Sequence, residues 1–170
     1  LAAGKGRRFG GETPKQFLEI HDYPLLWHSL NLFNKFDSET RLILVLDENH
    51  QEIWKKICSA KQIHINHEVV TGGNSRSESV KNALNVVINE GLVFIHGAAR
   101  PCLSIGLLER IKSGMIEHGN VIPVIPENNA LRIKNGNGFS YLDRGKVVLV
   151  QTPQSCLSHQ QPECLLDLHT

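Results

Sequence analysis

Short apolar runs rich in branched residues alternate with segments of helical period along most of this chain. That rhythm restricts the fold more than any other feature. Arg41-Leu-Ile-Leu-Val-Leu46 and Leu92-Val-Phe-Ile-His96 read as buried strands, and Ile63 to Val70, Val121 to Ile125 and Val147 to Val150 as further ones. Between them, Pro24 to Phe36, Gln51 to Ser59, Ser77 to Ile88 and Leu107 to Ile116 carry apolar residues at helical spacing. A last helix is expected from Ser158 to Leu168. Strands alternating with helices of about 10–15 residues imply βαβ units, hence an α/β fold with a mostly parallel sheet flanked by helices.

A chain of 170 residues is long enough for one domain with a real core, so residues 1–170 are read as a single domain. Leu1-Ala-Ala reads as the end of a strand that starts upstream. After Pro126 the rhythm breaks. Asn135-Gly136 between two semi-apolar segments signals a hairpin, and about 127–146 is expected to form a polar β-arm outside the main core.

In an open α/β sheet, ligands sit beyond the carboxyl ends of the strands. The loops at those ends are Ala2–Lys15, Thr71–Ser79, His96–Pro101 and the segment around Thr152. The first gathers Gly4, Gly6, Gly10 and Gly11 with Lys5, Arg7, Arg8 and Lys15. Successive backbone N–H groups in such a loop form an anion-binding concavity, and the cations add charge around it. This reads as a polyphosphate site. It is neither a dinucleotide fingerprint, because Phe9 takes the place of the third glycine, nor a Walker A loop. In Thr71–Ser79, Gly72 and Gly73 allow close approach to a base or ribose, with Arg76 and Ser79 facing it, although a capped helix after a turn explains the same residues. His96-Gly-Ala-Ala-Arg-Pro101 offers room for a ribose beside the backbone, or simply tight packing.

Net charge is +1, so the cations of the first loop are local, which argues against a general nucleic-acid binder. Apolar runs stay well short of the ~18 residues of a membrane span. Cys58, Cys102, Cys156 and Cys164 form no metal-type spacing and fit reduced thiols of a cytoplasmic protein.

Taken together, the loops resemble the 2-C-methyl-D-erythritol 4-phosphate cytidylyltransferase family. The resemblance rests on Ala2-Ala-Gly-Lys-Gly-Arg-Arg-Phe9, Pro14-Lys15-Gln16, Gly72-Gly73 with Arg76 and Ser79-Val80, Ala98-Ala-Arg-Pro101, Asp143-Arg144 and Gln151-Thr-Pro-Gln154. It implies a Rossmann-like nucleotidyltransferase domain, a homodimer built through the arm, CTP as co-substrate and assistance by Mg²⁺. By position, Arg8 and Lys15 would be the catalytic cations. Ala2, Ala3, Gly4, Gly73, Asn74 and Ser79 would hold the cytosine, with Ala98 near the ribose. Gly6 would approach the triphosphate and Arg76 would close over the nucleotide. Arg144 and Thr152 would bind the sugar phosphate, and Gly97 stands where the family has an aspartate on that side. Asn129-Ala130 replaces an Asp-Thr or Asp-Ser pair. The metal ligands are not assigned. The resemblance also expects a further segment beyond Thr170. Transfer to ribitol 5-phosphate or another sugar phosphate, and a nucleotide-binding homologue with impaired turnover, stay open beside the leading reading.

Overall fold

The computed structural model describes residues 1–4 and 13–158. A small hairpin of β1 (Glu19–Ile20) and β2 (Tyr23–Pro24) leads into α1 (Leu25–Phe36). Then come β3 (Ile43–Leu46), α2 (Glu48–Ala60), β4 (Glu68–Thr71), α3 (Arg76–Leu84), β5 (Leu92–Ile95) and α4 (Ile105–His118). The second half holds β6 (Val124–Pro126), β7 (Leu131–Asn135), β8 (Gly138–Leu142), β9 (Val148–Val150) and β10 (Gln154–Leu157). The expected helices from Pro24, Gln51, Ser77 and Leu107 correspond to α1 through α4. The expected last helix lies outside the described residues, apart from Ser158.

The helices start where side chains satisfy free backbone N–H groups. Asp47 caps α2 by accepting from Asn49 N, Ser75 caps α3 through Glu78 N, and Ser104 caps α4 through Leu107 N. The parallel part of the sheet centres on the first residues. β3 pairs with β4 in parallel. Ala2 N donates to Val45 O at 2.7 Å, Leu1 N donates to His96 O at 2.7 Å, and Ala98 N donates to Leu1 O at 2.9 Å. Leu1–Ala2 therefore lies between the carboxyl ends of β3 and β5, running parallel to β5. On the far side of β5, β10 adds an antiparallel strand, and Ser155 continues to Val121 through a reciprocal pair of hydrogen bonds. The spatial order is β4, β3, Leu1–Ala2, β5, β10, Val121.

Alternate residues of β5 enter different apolar clusters, as the period of a strand requires. Phe94 joins Leu26, Leu30, Phe33, Trp54 and Leu108. Val93 and Ile95 join Val80, Leu84 and Cys156.

A hairpin forms at Asn135-Gly136, where the sequence signals one. β7 and β8 pair from Leu131↔Leu142 to Asn135↔Gly138. Gly136 opens the two-residue loop with φ +57°, a conformation that favours glycine. Three strands, β10 and the pair β1 and β2, depart from the sequence reading, and the strand expected from Ile63 begins only at Glu68. β10 was not expected, because Gln154-Ser-Cys-Leu157 lacks a branched apolar run. The β1–β2 hairpin turns at His21 and Asp22, both at positive φ without glycine. Among the described residues no helix is long and apolar enough to cross a membrane.

Candidate nucleotide-binding cleft

A cleft of about 930 Å³ opens beyond the carboxyl ends of β3, β4 and β5. Its wall includes Ala3, Gly4, Gly73, Asn74, Arg76, Ser79, Gly97 and Thr152. All eight were expected at the site, although they come from four separated loops. The topology brings the loops together because Leu1–Ala2 sits between β3 and β5.

The loop after β4 is rigidly held. Gly72 N donates to Leu46 O at 2.7 Å. A Cβ at Gly72 would collide with the Cβ of Ala3, so only glycine lets the two loops approach this closely. Ser79 is buried; its Oγ accepts from Gly73 N at 3.0 Å and donates to Ser75 O at 2.9 Å. Glu78 folds back to accept from Asn74 N at 2.7 Å.

Two guanidinium groups enter the cleft. Arg76 donates from Nη2 to Gln154 Oε1 at 2.7 Å, and Arg100 donates from Nη1 to Thr152 Oγ1 at 3.3 Å. Burial, with the like charge of Arg100 adding to it, lowers the pKa of Arg76 from its usual value. Neither arginine forms an ion pair among the described residues. Arg100 and Gln154 stand inside strings that carry the resemblance, yet sequence reasoning gave neither a role. Their meeting with Thr152 and Arg76 is a product of the fold.

The other expected residues fall elsewhere. Ala2 and Ala98 are buried behind the cleft wall: Ala2 O accepts from Gln16 Nε2 at 2.9 Å, and Ala98 O accepts from Ser29 Oγ at 2.8 Å. They shape the site through the backbone. Lys15 is exposed in a short helical turn, Lys15–Phe17, and does not line this cleft. Arg144 lies on the arm, where Nη1 donates to Asn128 O at 2.8 Å. Gly6 and Arg8 lie outside the described residues.

The donors that the described residues offer near the cleft do not suit a divalent ion held by protein. Asp47, Glu48 and Glu78 line it, but Asp47 caps α2, Glu78 accepts from Asn74 N, and Gly97 presents no side chain. No group of three potential metal ligands converges among the described residues.

The model of the family described as "IspD: 2-C-methyl-D-erythritol 4-phosphate cytidylyltransferase" matches residues 1–166. The chain belongs to this family. The cytidylyltransferase of Bacteroides thetaiotaomicron is 38% identical over 154 residues, covering 91% of this chain and 70% of the relative. That of Clostridium perfringens is 33% identical over 156 residues, covering 91% and 69%. Among solved structures, the 4-diphosphocytidyl-2C-methyl-D-erythritol synthase of Anaerococcus prevotii superposes with TM-score 0.78 at 21% identity, covering 99% of this chain and 73% of its own. The bifunctional IspDF of Campylobacter jejuni gives TM-score 0.76 at 26% identity, covering 96% and 41%. The α/β nucleotidyltransferase fold is thus shared along the IspD family, and the cleft occupies the strand ends of that fold.

Proposed function

We propose that the protein transfers the cytidylyl group of CTP to 2-C-methyl-D-erythritol 4-phosphate, releasing pyrophosphate, as a step of isoprenoid precursor synthesis. The observation that carries this reading is a nucleotide-sized cleft in an IspD-family chain with Arg76 and Arg100 directed into it and balanced by no ion pair among the described residues.

In this reading an oxygen of the acceptor phosphate attacks the α-phosphorus of CTP in line. A new P–O bond forms as the bond to the bridging β-phosphate oxygen breaks, and pyrophosphate leaves with the electron pair. The attacking oxygen is already anionic, so no general base is needed. The catalytic work is charge stabilisation, for which Arg8 and Lys15 are the proposed groups. Ala3, Gly4, Gly73, Asn74 and Ser79 form the base side, with Ala2 and Ala98 setting the backbone behind it. Gly6 belongs to the triphosphate loop. Arg76 and Arg100 hold phosphate charge, and Thr152, beside Gly97, faces the acceptor.

Magnesium enters this proposal only as a counter-ion carried by the triphosphate. The described residues do not fit a protein-held ion, and no step is routed through one. A homodimer through the arm is also part of the proposal, with Arg144 reaching the partner's acceptor side. We place the reaction in the cytoplasm, where nucleoside triphosphates are made.

Pyrophosphate release tests the reaction. We expect release with CTP and methylerythritol phosphate, and much less with UTP, ATP or GTP. Release with ribitol 5-phosphate but none with methylerythritol phosphate would reassign the acceptor. Absence of release with every pair would defeat the proposal.

A further inference from the structure

We propose that Gln154 is a positioning residue, whose neutral amide oxygen aims Arg76 into the cleft without cancelling its charge. The inference rests on the nucleotide reading of the cleft and assigns a side chain that reading leaves without a role.

Gln154 is only 1% exposed, and it opens β10 in register with Ile95 of β5. Its backbone is fixed by the sheet, so its side chain is a rigid post. Oε1 accepts from Arg76 Nη2 at 2.7 Å, a bond spanning 78 residues of sequence. Arg76 sits where a cation is disfavoured. It is the first residue of α3, at the positive end of the helix dipole, and it shares the cleft with Arg100. A carboxylate at position 154 would answer both problems by forming an ion pair. The chain instead has an acceptor of nearly the same shape with no charge. The guanidinium is thereby held in one orientation while its charge stays available to a polyanion. The sharpest consequence concerns Gln154→Glu: it should strengthen the tie between α3 and β10 and weaken anion binding. Gln154→Met separates positioning from simple repulsion by that new carboxylate, because it removes the acceptor without adding charge; a purely structural tie predicts wild-type binding in Gln154→Met.

The test uses the whole protein with Gln154→Glu and Gln154→Met. Inorganic tripolyphosphate binding is measured by calorimetry at low and high salt, beside thermal melting and CTP kinetics. We expect Gln154→Glu to melt at or above the wild-type temperature and to bind tripolyphosphate about tenfold more weakly, the scale of one charge-assisted hydrogen bond. Its salt dependence should be shallower. KM for CTP should rise by a similar factor, with kcat changed less than about threefold. Gln154→Met keeps the volume, loses the acceptor and should also bind more weakly. Wild-type tripolyphosphate affinity in folded Gln154→Glu overturns the proposal. Wild-type affinity in folded Gln154→Met overturns it as well, whatever Gln154→Glu does. Tripolyphosphate binding does not depend on the transfer reaction, so failure of turnover in the wild type counts against the reaction and not against Gln154.

Discussion

Leu1 and Ala98 are joined main chain to main chain, Ala98 N donating to Leu1 O at 2.9 Å, while Leu1 N donates to His96 O on the same strand. Residues of the first and third cleft loops are thus fixed relative to one another by sheet hydrogen bonds. The geometry of the site is inherited from the centre of the sheet.

His96 gives the fold an acid limb. Its Nε2 is bonded to Arg100 O at 2.9 Å, so neutral Nε2–H donates, while buried Nδ1 has no partner among the described residues. Burial holds its pKa down at about 4, against the opposing effect of that hydrogen bond, and nearby positive charge including Arg100 adds to the lowering. Above about pH 6.5 the ring is neutral folded and unfolded, and the stability is intact. As pH falls from about 6.5 to about 4, the unfolded chain takes a proton that the fold refuses, so stability is lost. The loss reaches about 3 kcal/mol and levels off below the folded pKa. Urea unfolding at pH 7.5, 5.5 and 4.5 measures it. His96→Gln should flatten that dependence; an unchanged slope would remove His96 as its source.

Much of this architecture is legible in the residues themselves. The cleft loops are legible because glycine and helix-capping residues gather in them: a Cβ at Gly72 would meet Ala3, one at Gly73 would meet Glu78, and Ser75 starts α3. The β7–β8 hairpin is legible because Gly136 marks its turn. β10 is not, because Gln154 to Leu157 becomes a strand only by pairing with β5 and Val121. Gln154 and Arg76 illustrate the same limit for function. Each can be read locally as polar, but their contact exists only once α3 and β10 are placed.

Ser79 ties together the loop proposed to hold the base, accepting from Gly73 N and donating to Ser75 O. Ser79→Ala leaves Gly73 N–H without that acceptor, a cost of about 1–3 kcal/mol. Most of it should appear in the loop and not in the core. We expect KM for CTP to rise about tenfold, while melting falls by only a few degrees. Unchanged KM in the folded variant would exclude the Gly73 loop from nucleotide binding.

Gly97→Asp tests the acceptor side. A Cβ there would meet Arg100 Cδ at 3.4 Å, contact that a long flexible side chain accommodates. Stability should change by less than about 1 kcal/mol. The new carboxylate can accept from acceptor hydroxyls, and a hydrogen bond of that kind is worth about tenfold in kcat/KM for methylerythritol phosphate. It can also draw Arg100 away from Thr152. A fall in kcat/KM at wild-type stability would mean that this second effect governs, and that Arg100 must remain uncompensated.

The arm carries the last test. Phe139 is 70% exposed and Tyr141 67%, and their spacing of two places both on one face of the ribbon. Large aromatic rings left in water on a two-stranded ribbon fit a surface that another chain covers. Arg132 lies 6.0 Å from the Tyr141 ring centre and would be buried with it. Two copies related by a twofold axis would bury both ribbons at once. Sedimentation should give a dimer for the wild type and a monomer for the Phe139→Ser, Tyr141→Ser double variant, with core stability nearly unchanged because neither ring packs in the core. If Arg144 serves the partner's acceptor side, activity with methylerythritol phosphate falls with the dimer, while CTP binding persists. A monomeric wild type would remove the arm from the interface, and a monomeric double variant with full activity would confine the acceptor site to one chain.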